Sequence, residues 1–297
     1  EMVVNEATST QGAQRPALPT RRGILQIMWG PHSFRKIALN PGEQLTFGRT
    51  DRADVVVDDP KLNGIHFSIW FSGARAIVRD LESASGTFIN GERSARGDIG
   101  YGGFLVAGAT TFRLFLEDFT EPTEAPPSEA RLSLVAAARK ELGEIDGALY
   151  AAFDAARAER VLWLLQESID DHKTLYEGQE GRLLDDVAPY LVRFERGSKL
   201  LDRLLLGGWG DAWGVFFRST EHPKEVRRQL RRFLVVLDDA KSERMYFRFY
   251  DPRVMREFHS VATMRQRAEL LHGMVRMVLE SEDGSPLVLR PPSSEAS

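Results

Sequence analysis

Between residues 23 and 116 the apolar side chains recur at every second position, in short runs separated by turn-forming residues. The runs are Ile24–Trp29, Lys36–Leu39, Leu45–Phe47, Val55–Val57, Ile65–Phe71, Ala74–Arg79, Thr87–Ile89 and Thr111–Leu116. A period of two sends successive side chains to opposite faces of a pleated strand. Ile65, Phe67, Ile69 and Phe71 therefore share one face, and His66, Ser68 and Trp70 the other. Asn40-Pro41-Gly42, Ser72-Gly73 and Asn90-Gly91 punctuate the runs. Asn90-Gly91 is the strongest hairpin signal, since both residues tolerate positive φ. Many short strands at this spacing predict a sandwich or barrel.

The pattern stops at residues 117–130, an acidic stretch with three prolines that reads as a linker. Beyond it, helical and strand signals alternate. Helices are predicted over Arg131–Leu142, 156–167, Ser198–Leu206 (stopped by Gly207-Gly208), His222–Leu237, from Asp251-Pro252 onward, and Thr263–Met274. Strands are predicted over Ala148–Phe153, Tyr190–Phe194, Trp213–Arg218, Arg244–Tyr250, Met277–Glu280 and Leu287–Leu289. The expected chain is multidomain: a flexible lead over 1–20, an all-β sandwich over 21–117, a linker over 118–130, and an α/β or α+β domain over 131–297. Strand order in the second domain stays open.

The 297 residues include no cysteine, which excludes a disulfide framework, a thiolate nucleophile and a thiolate-ligated metal. A net charge of −4 argues against nucleic acid, whose phosphates require a basic field. Val161–Leu165 and Phe233–Leu237, the longest apolar stretches, are too short to cross a bilayer. The first residues lack the basic start and apolar core of a secretory signal. A cytoplasmic location is the expectation. The six histidines are scattered without metal-ligand spacing, and there is neither a nucleophile elbow nor a phosphate loop. The carboxylate pairs Asp58-Asp59, Asp170-Asp171, Asp185-Asp186 and Asp238-Asp239 read as solvated surface charge. No enzyme, no metal and no cofactor are expected.

Three clusters stand out in the β region: Phe47-Gly48-Arg49, Asn63-Gly64-Ile65-His66 and Ser85-Gly86-Thr87-Phe88-Ile89-Asn90-Gly91. In this order and spacing they resemble the forkhead-associated (FHA) domain, over roughly residues 23–117. The resemblance implies a β-sandwich whose loops at one end bind phosphothreonine peptides. Arg49 would supply a forked, charge-assisted donor to phosphate, Gly48 would permit a strained turn, and His66 would brace the loop. The family carries a serine at the position of Asn63, often a basic residue at that of Gly64, and an asparagine at that of Ser85. This chain departs at all three. Two readings follow: a phosphothreonine site with altered chemistry, or a sandwich kept as an interaction module without phosphate.

In the second domain the sharpest segment is Arg248-Phe249-Tyr250-Asp251-Pro252-Arg253-Val254. With residues 150–157, 188–192, 213–219 and 230–234, it resembles the type VI secretion effector chaperone or adaptor family, over roughly residues 145–282. That resemblance implies a cytosolic protein that binds a secreted effector and helps load it onto the spike protein VgrG. A phosphorylation-dependent scaffold is the alternative. The alternation of Met245, Phe247 and Phe249 with Tyr246, Arg248 and Tyr250 predicts a central strand covered on both faces. A buried Arg248 would then need a partner, for which Asp251 is the candidate. Asp251 is also the predicted N-cap of the helix begun by Pro252, and sits beside Arg253. Arg227, Arg228, Arg231 and Arg232 form a basic stripe on one helix, read as a solvated or internally paired face, or as the seat of an acidic protein partner. The expected partners are thus an effector, VgrG and a phosphorylated protein, with no nucleic acid and no membrane.

Overall fold

The computed structural model describes residues 21–119, 125–143, 145–176, 187–238 and 243–292. The 1–20 lead, the middle of the proposed 118–130 linker, and Asp185-Asp186 lie outside them.

Eleven strands build the first unit: β1 (Gly23–Trp29), β2 (Lys36–Leu39), β3 (Gln44–Gly48), β4 (Val55–Val56), β5 (Phe67–Phe71), β6 (Ala76–Asp80), β7 (Thr87–Ile89), β8 (Glu92–Arg93), β9 (Arg96–Ile99), β10 (Phe104–Ala107) and β11 (Thr110–Leu116). They form two sheets, ordered β2-β1-β11-β10-β7-β8 and β4-β3-β5-β6-β9, the sandwich the period-two runs predict. Phe47, Phe67 and Phe112 meet at its centre, with Phe47 and Phe67 stacked at 4.8 Å and Phe112 edge-on at 5.9 and 5.6 Å. Asn90 has φ 49° and Gly91 φ 91° between β7 and β8, as the hairpin signal requires. Strands β8 and β9 were not among the predicted runs, because Glu92-Arg93 and Arg96-Gly97-Asp98 carry no apolar alternation; the short apolar β10 was not among them either.

The second unit mixes a six-stranded antiparallel sheet with helices. Its strands are β12 (Ala148–Asp154), β13 (Asp171–Thr174), β14 (Pro189–Arg193), β15 (Gly214–Ser219), β18 (Met274–Glu280) and β19 (Pro286–Leu289), in the order β13-β14-β12-β15-β18-β19. The helices are α1 (Glu129–Leu142), α2 (Glu159–Gln166), α3 (Lys199–Gly208), α4 (Pro223–Arg232), α5 (Pro252–Val261) and α6 (Met264–Leu270). The sheet is buried on both faces. One core gathers Phe153, Leu164, Leu204, Trp209 and Phe216, and the other Tyr150, Phe217, Leu230, Phe249 and Met277.

Several expectations fail here for physical reasons. Asp59 and Asp170, read as solvated surface charge, are 0% and 2% exposed, because Asp59 accepts from Lys61, Ala109 and Thr110, and Asp170 from Ser168, Glu195 and Ser198. The helix predicted over His222–Leu237 ends at Arg232, and Val235–Asp238 turns into β16. The strand predicted over Arg244–Tyr250 is β17 (Glu243–Tyr246), paired only with β16. It is a peripheral ribbon, with Tyr246 77% exposed, rather than a central strand. Gly207-Gly208 does not stop α3, because the Trp213 ring lies against both glycines and fixes them as helix.

The two units touch. Lys36 on β2 donates to the carbonyl of Leu165 at 2.7 Å, to that of Ser168, and to that of Asp170 at 3.2 Å, all just beyond or at the end of α2. Tyr101 donates to Glu167 at 2.9 Å. Asp118 faces Lys199 at 3.3 Å and Arg203 at 3.5 Å. Ile24 is fully buried although its neighbours Leu25 and Ile27 point into the sandwich, so the outer face of this sheet is covered at that point, while Phe88 and Phe104 farther along the sheet stay exposed.

Candidate functional site

The three sequence clusters converge on loops at one end of the sandwich. Gly48 ends β3, and a Cβ there would stand 2.1 Å from the Gly64 carbonyl oxygen, so only glycine allows the two loops to touch. Arg49 N–H donates to the Asn63 carbonyl at 2.9 Å, and Thr50 Oγ1 donates to that of Gly64 at 3.0 Å. His66 is fully buried beneath this contact. Its Nδ1 accepts from Asn63 N–H at 3.1 Å, and its Nε2 faces the Gly86 carbonyl at 3.3 Å. The Asn63 side-chain oxygen accepts from Ala84 N–H at 3.1 Å, which ties the second loop to the third. His66 and Asn63 are thus both spent on holding the loops together.

Behind them, Thr87 and Ser83 each donate to Asp80 at 2.6 Å. Burial alone would raise the Asp80 carboxyl, but these donors hold it below its ordinary value. Gly86, at φ 75°, lies under the Arg93 guanidinium, whose Nε would be 2.3 Å from a Cβ at this position. Ser85 is exposed and donates weakly, at 3.5 Å, to the Lys61 carbonyl.

The rim is therefore basic. Arg49, Lys61 and Arg93 are exposed, and the Arg49 side chain has no hydrogen bond or ion pair among the described residues. Asp51, Asp58 and Glu92 are acids close to them in sequence. Lys61 and Arg93 were not singled out from sequence. Lys61 precedes its cluster by two residues, and Arg93 reaches back across the β7–β8 hairpin.

The Arg248–Arg253 segment forms a charge knot at the start of α5. Asp251 is 2% exposed and its carboxylate accepts from Arg253 N–H at 3.0 Å, capping the helix as expected. The same carboxylate binds the Arg253 guanidinium at 3.0 and 2.6 Å. Burial would raise this carboxyl, but the Arg253 donors hold it below its usual range. Arg248 is not buried; its side chain is 46% exposed. Its main partner is Asp154 at the end of β12, with Asp251 farther away at 3.8 Å. Tyr250 lies beneath Arg248, 6.0 Å from guanidinium carbon to ring centre, and burial pushes its hydroxyl up.

The arginine stripe on α4 is divided. Arg227 donates to the Thr174 carbonyl at 2.9 Å and Arg231 to that of Leu175 at 2.9 Å, fastening α4 to the strand β13. Arg228 pairs with Glu225, one turn back. Arg232 is exposed.

With this geometry in hand, comparison with known proteins finds two families. Residues 45–99 match the FHA domain, and residues 149–269 match a domain of unknown function, DUF4123. Among solved structures, the FHA domain of a Chlamydia trachomatis protein is 21% identical, with 32% of this chain and 96% of that one covered and a TM-score of 0.31. The FHA domain of an Arabidopsis thaliana hypothetical protein is 21% identical, with 38% and 99% covered and a TM-score of 0.32. Mycobacterium tuberculosis EmbR, solved in complex with a low-affinity phosphopeptide, is 20% identical, with 34% and 26% covered and a TM-score of 0.30. No curated protein matches the chain. Among the described residues no helix is long and apolar enough to cross a membrane.

Proposed function

We propose that the chain is a non-catalytic cytoplasmic adaptor. Its second unit holds a type VI secretion effector and helps load it onto the VgrG spike, and its FHA unit adds a further protein contact. The observation that carries this reading is the match of residues 149–269 to DUF4123, the family associated with type VI effector chaperones. The full chain co-expressed with the effector encoded beside it is expected to give a soluble stoichiometric complex that also captures VgrG. A folded chain that co-purifies with neither would overturn the reading.

A second reading, a phosphothreonine-binding scaffold, is favoured by one feature: the Arg49 side chain is exposed with no partner among the described residues, and Lys61 and Arg93, near the other two clusters, are exposed as well. Against it, Gly64 has no side chain to donate, Ser85 replaces the family's asparagine, and the Asn63 oxygen is already engaged. Two lost hydrogen bonds to a charged group, each worth roughly 1.5–3 kcal/mol, weaken affinity by about two to four orders of magnitude. Titration of the full chain with a phosphothreonine peptide library is therefore expected to show weak binding only. A low-micromolar complex abolished by Arg49→Ala would establish the scaffold reading instead.

A further inference from the structure

A cleft of about 430 Å³ opens between α4 and the strands β12, β14 and β13. Lys173, Arg193, Lys224 and Arg228 line it, together with Arg227 and Arg231, and Asp171 is the single carboxylate among the lining residues. The chain as a whole carries a net charge of −4, so this concentration of positive charge is local. Two carboxylates offset part of it: Asp171 stands 3.9 Å from Lys173 with both side chains more than half exposed, and Glu225, outside the lining, pairs with Arg228.

Two atoms in the wall are left incomplete. Tyr150 Oη and Arg193 Nε are buried and have no hydrogen-bond partner among the described residues. Tyr150 itself is 1% exposed, its ring stacked on Phe217 at 5.4 Å. Buried polar groups are nearly always paired, and both of these can donate a hydrogen bond. Every cationic group around them also donates and cannot accept. The cleft thus presents donors from three strands and a helix, against one side-chain carboxylate, Asp171, among its lining residues.

We propose that this cleft seats carboxylates of an acidic segment of the protein held by the second unit. The inference deepens the adaptor reading and rests on it for the identity of the partner. Carboxylates on a peptide fit better than one phosphate. The donors are side chains spread over separate elements, with Leu191 and Pro223 as apolar wall between them. There is no glycine-rich loop, and the Lys224 N–H at the start of α4 is already taken by His222 at 3.3 Å. Spread donors with apolar gaps suit several single charges on an extended segment.

The test uses the full chain and an acetyl-Asp-Glu-Asp-Glu-amide peptide in calorimetry, with acetyl-Asn-Gln-Asn-Gln-amide and inorganic phosphate as comparisons. The acidic peptide is expected to bind, more weakly as salt rises from 50 to 300 mM. Tyr150→Phe and Arg193→Gln are each expected to raise Kd roughly tenfold or more. Tyr150→Phe removes only a hydroxyl without a partner, so Tm should hold or rise. No binding of the acidic peptide, equal binding of the amide peptide, or binding of phosphate alone would overturn the proposal. So would unchanged affinity in Tyr150→Phe, or a clear drop in its Tm. Failure here with effector co-purification intact would remove the seat alone; lost co-purification with peptide binding intact would remove the adaptor reading alone.

Discussion

At Gly48 the loops of the sandwich leave no room for a single methyl group. The obstruction is the backbone of Gly64, which cannot rotate away as a side chain could. Gly48→Ala is expected to cost about 1–3 kcal/mol and to displace Arg49, which thermal unfolding and peptide titration would register together. Asp251 behaves differently. Its carboxylate caps α5 and holds Arg253, but the Arg253 side chain is 49% exposed and can return to water. Asp251→Ala should therefore lose about 1–2 kcal/mol, the range of a lost cap, rather than the larger cost of stranding a buried charge. Asp251→Asn should recover most of it. Because the folded carboxyl is held below its ordinary value, its contribution is present above that value and fades as pH falls through the depressed one. The acid limb of an unfolding-versus-pH curve should be shallower in Asp251→Asn than in the parent chain.

Elements were legible where a residue's neighbours in sequence decide its state, and illegible where a distant residue does. The runs from Ile24 to Leu116 alternate on their own, and Asp251-Pro252 opens a helix by local chemistry alone. Gly207-Gly208 reads as a stop, yet the chain folds Trp213 back over it, so the pair continues the helix. A glycine inside a helix normally gains about 0.5–1 kcal/mol on replacement by alanine. Gly208→Ala is expected to lose stability, because a Cβ there would lie 2.4 Å from the indole. A raised Tm in that variant would contradict the packing. The peripheral place of β17 was hidden for a similar reason: alternating large residues suit a central strand, but Tyr246 faces solvent while Phe249 is buried only after the chain has left the strand. At the candidate site the loop residues Gly48, His66 and Gly86 were singled out through the resemblance to the FHA domain. The basic rim was only half readable, since Arg93 arrives through a hairpin and Lys61 through a loop.

At the scale of the whole molecule, one lysine stands out in the joint between the two units. Burial pushes Lys36 down to about 7, against the opposing pull of Asp170 and Asp171. Above that value the folded chain has given up a proton that the unfolded chain keeps until its ordinary value of 10.5. Stability is therefore expected to rise with pH across this window, by up to about 1.4 kcal/mol per unit. Thermal unfolding between pH 7 and 9 should show the rise in the parent chain and its loss in Lys36→Met. A variant that keeps the same slope would assign the effect elsewhere.

The joint made by Lys36, Tyr101 and Asp118 also bears on how tightly partners can be held. If both contacts proposed above form, two recognition surfaces fixed in one geometry would act on a partner that spans both as a single bivalent clamp. Once one surface is engaged, the second contact forms at an effective concentration set by the frame rather than by the partner's abundance. A partner that matches the spacing gains avidity from two weak contacts, whereas one with the same two motifs at another spacing gains none. Selectivity would then reside in a distance, measured across the molecule, as much as in the chemistry of either end.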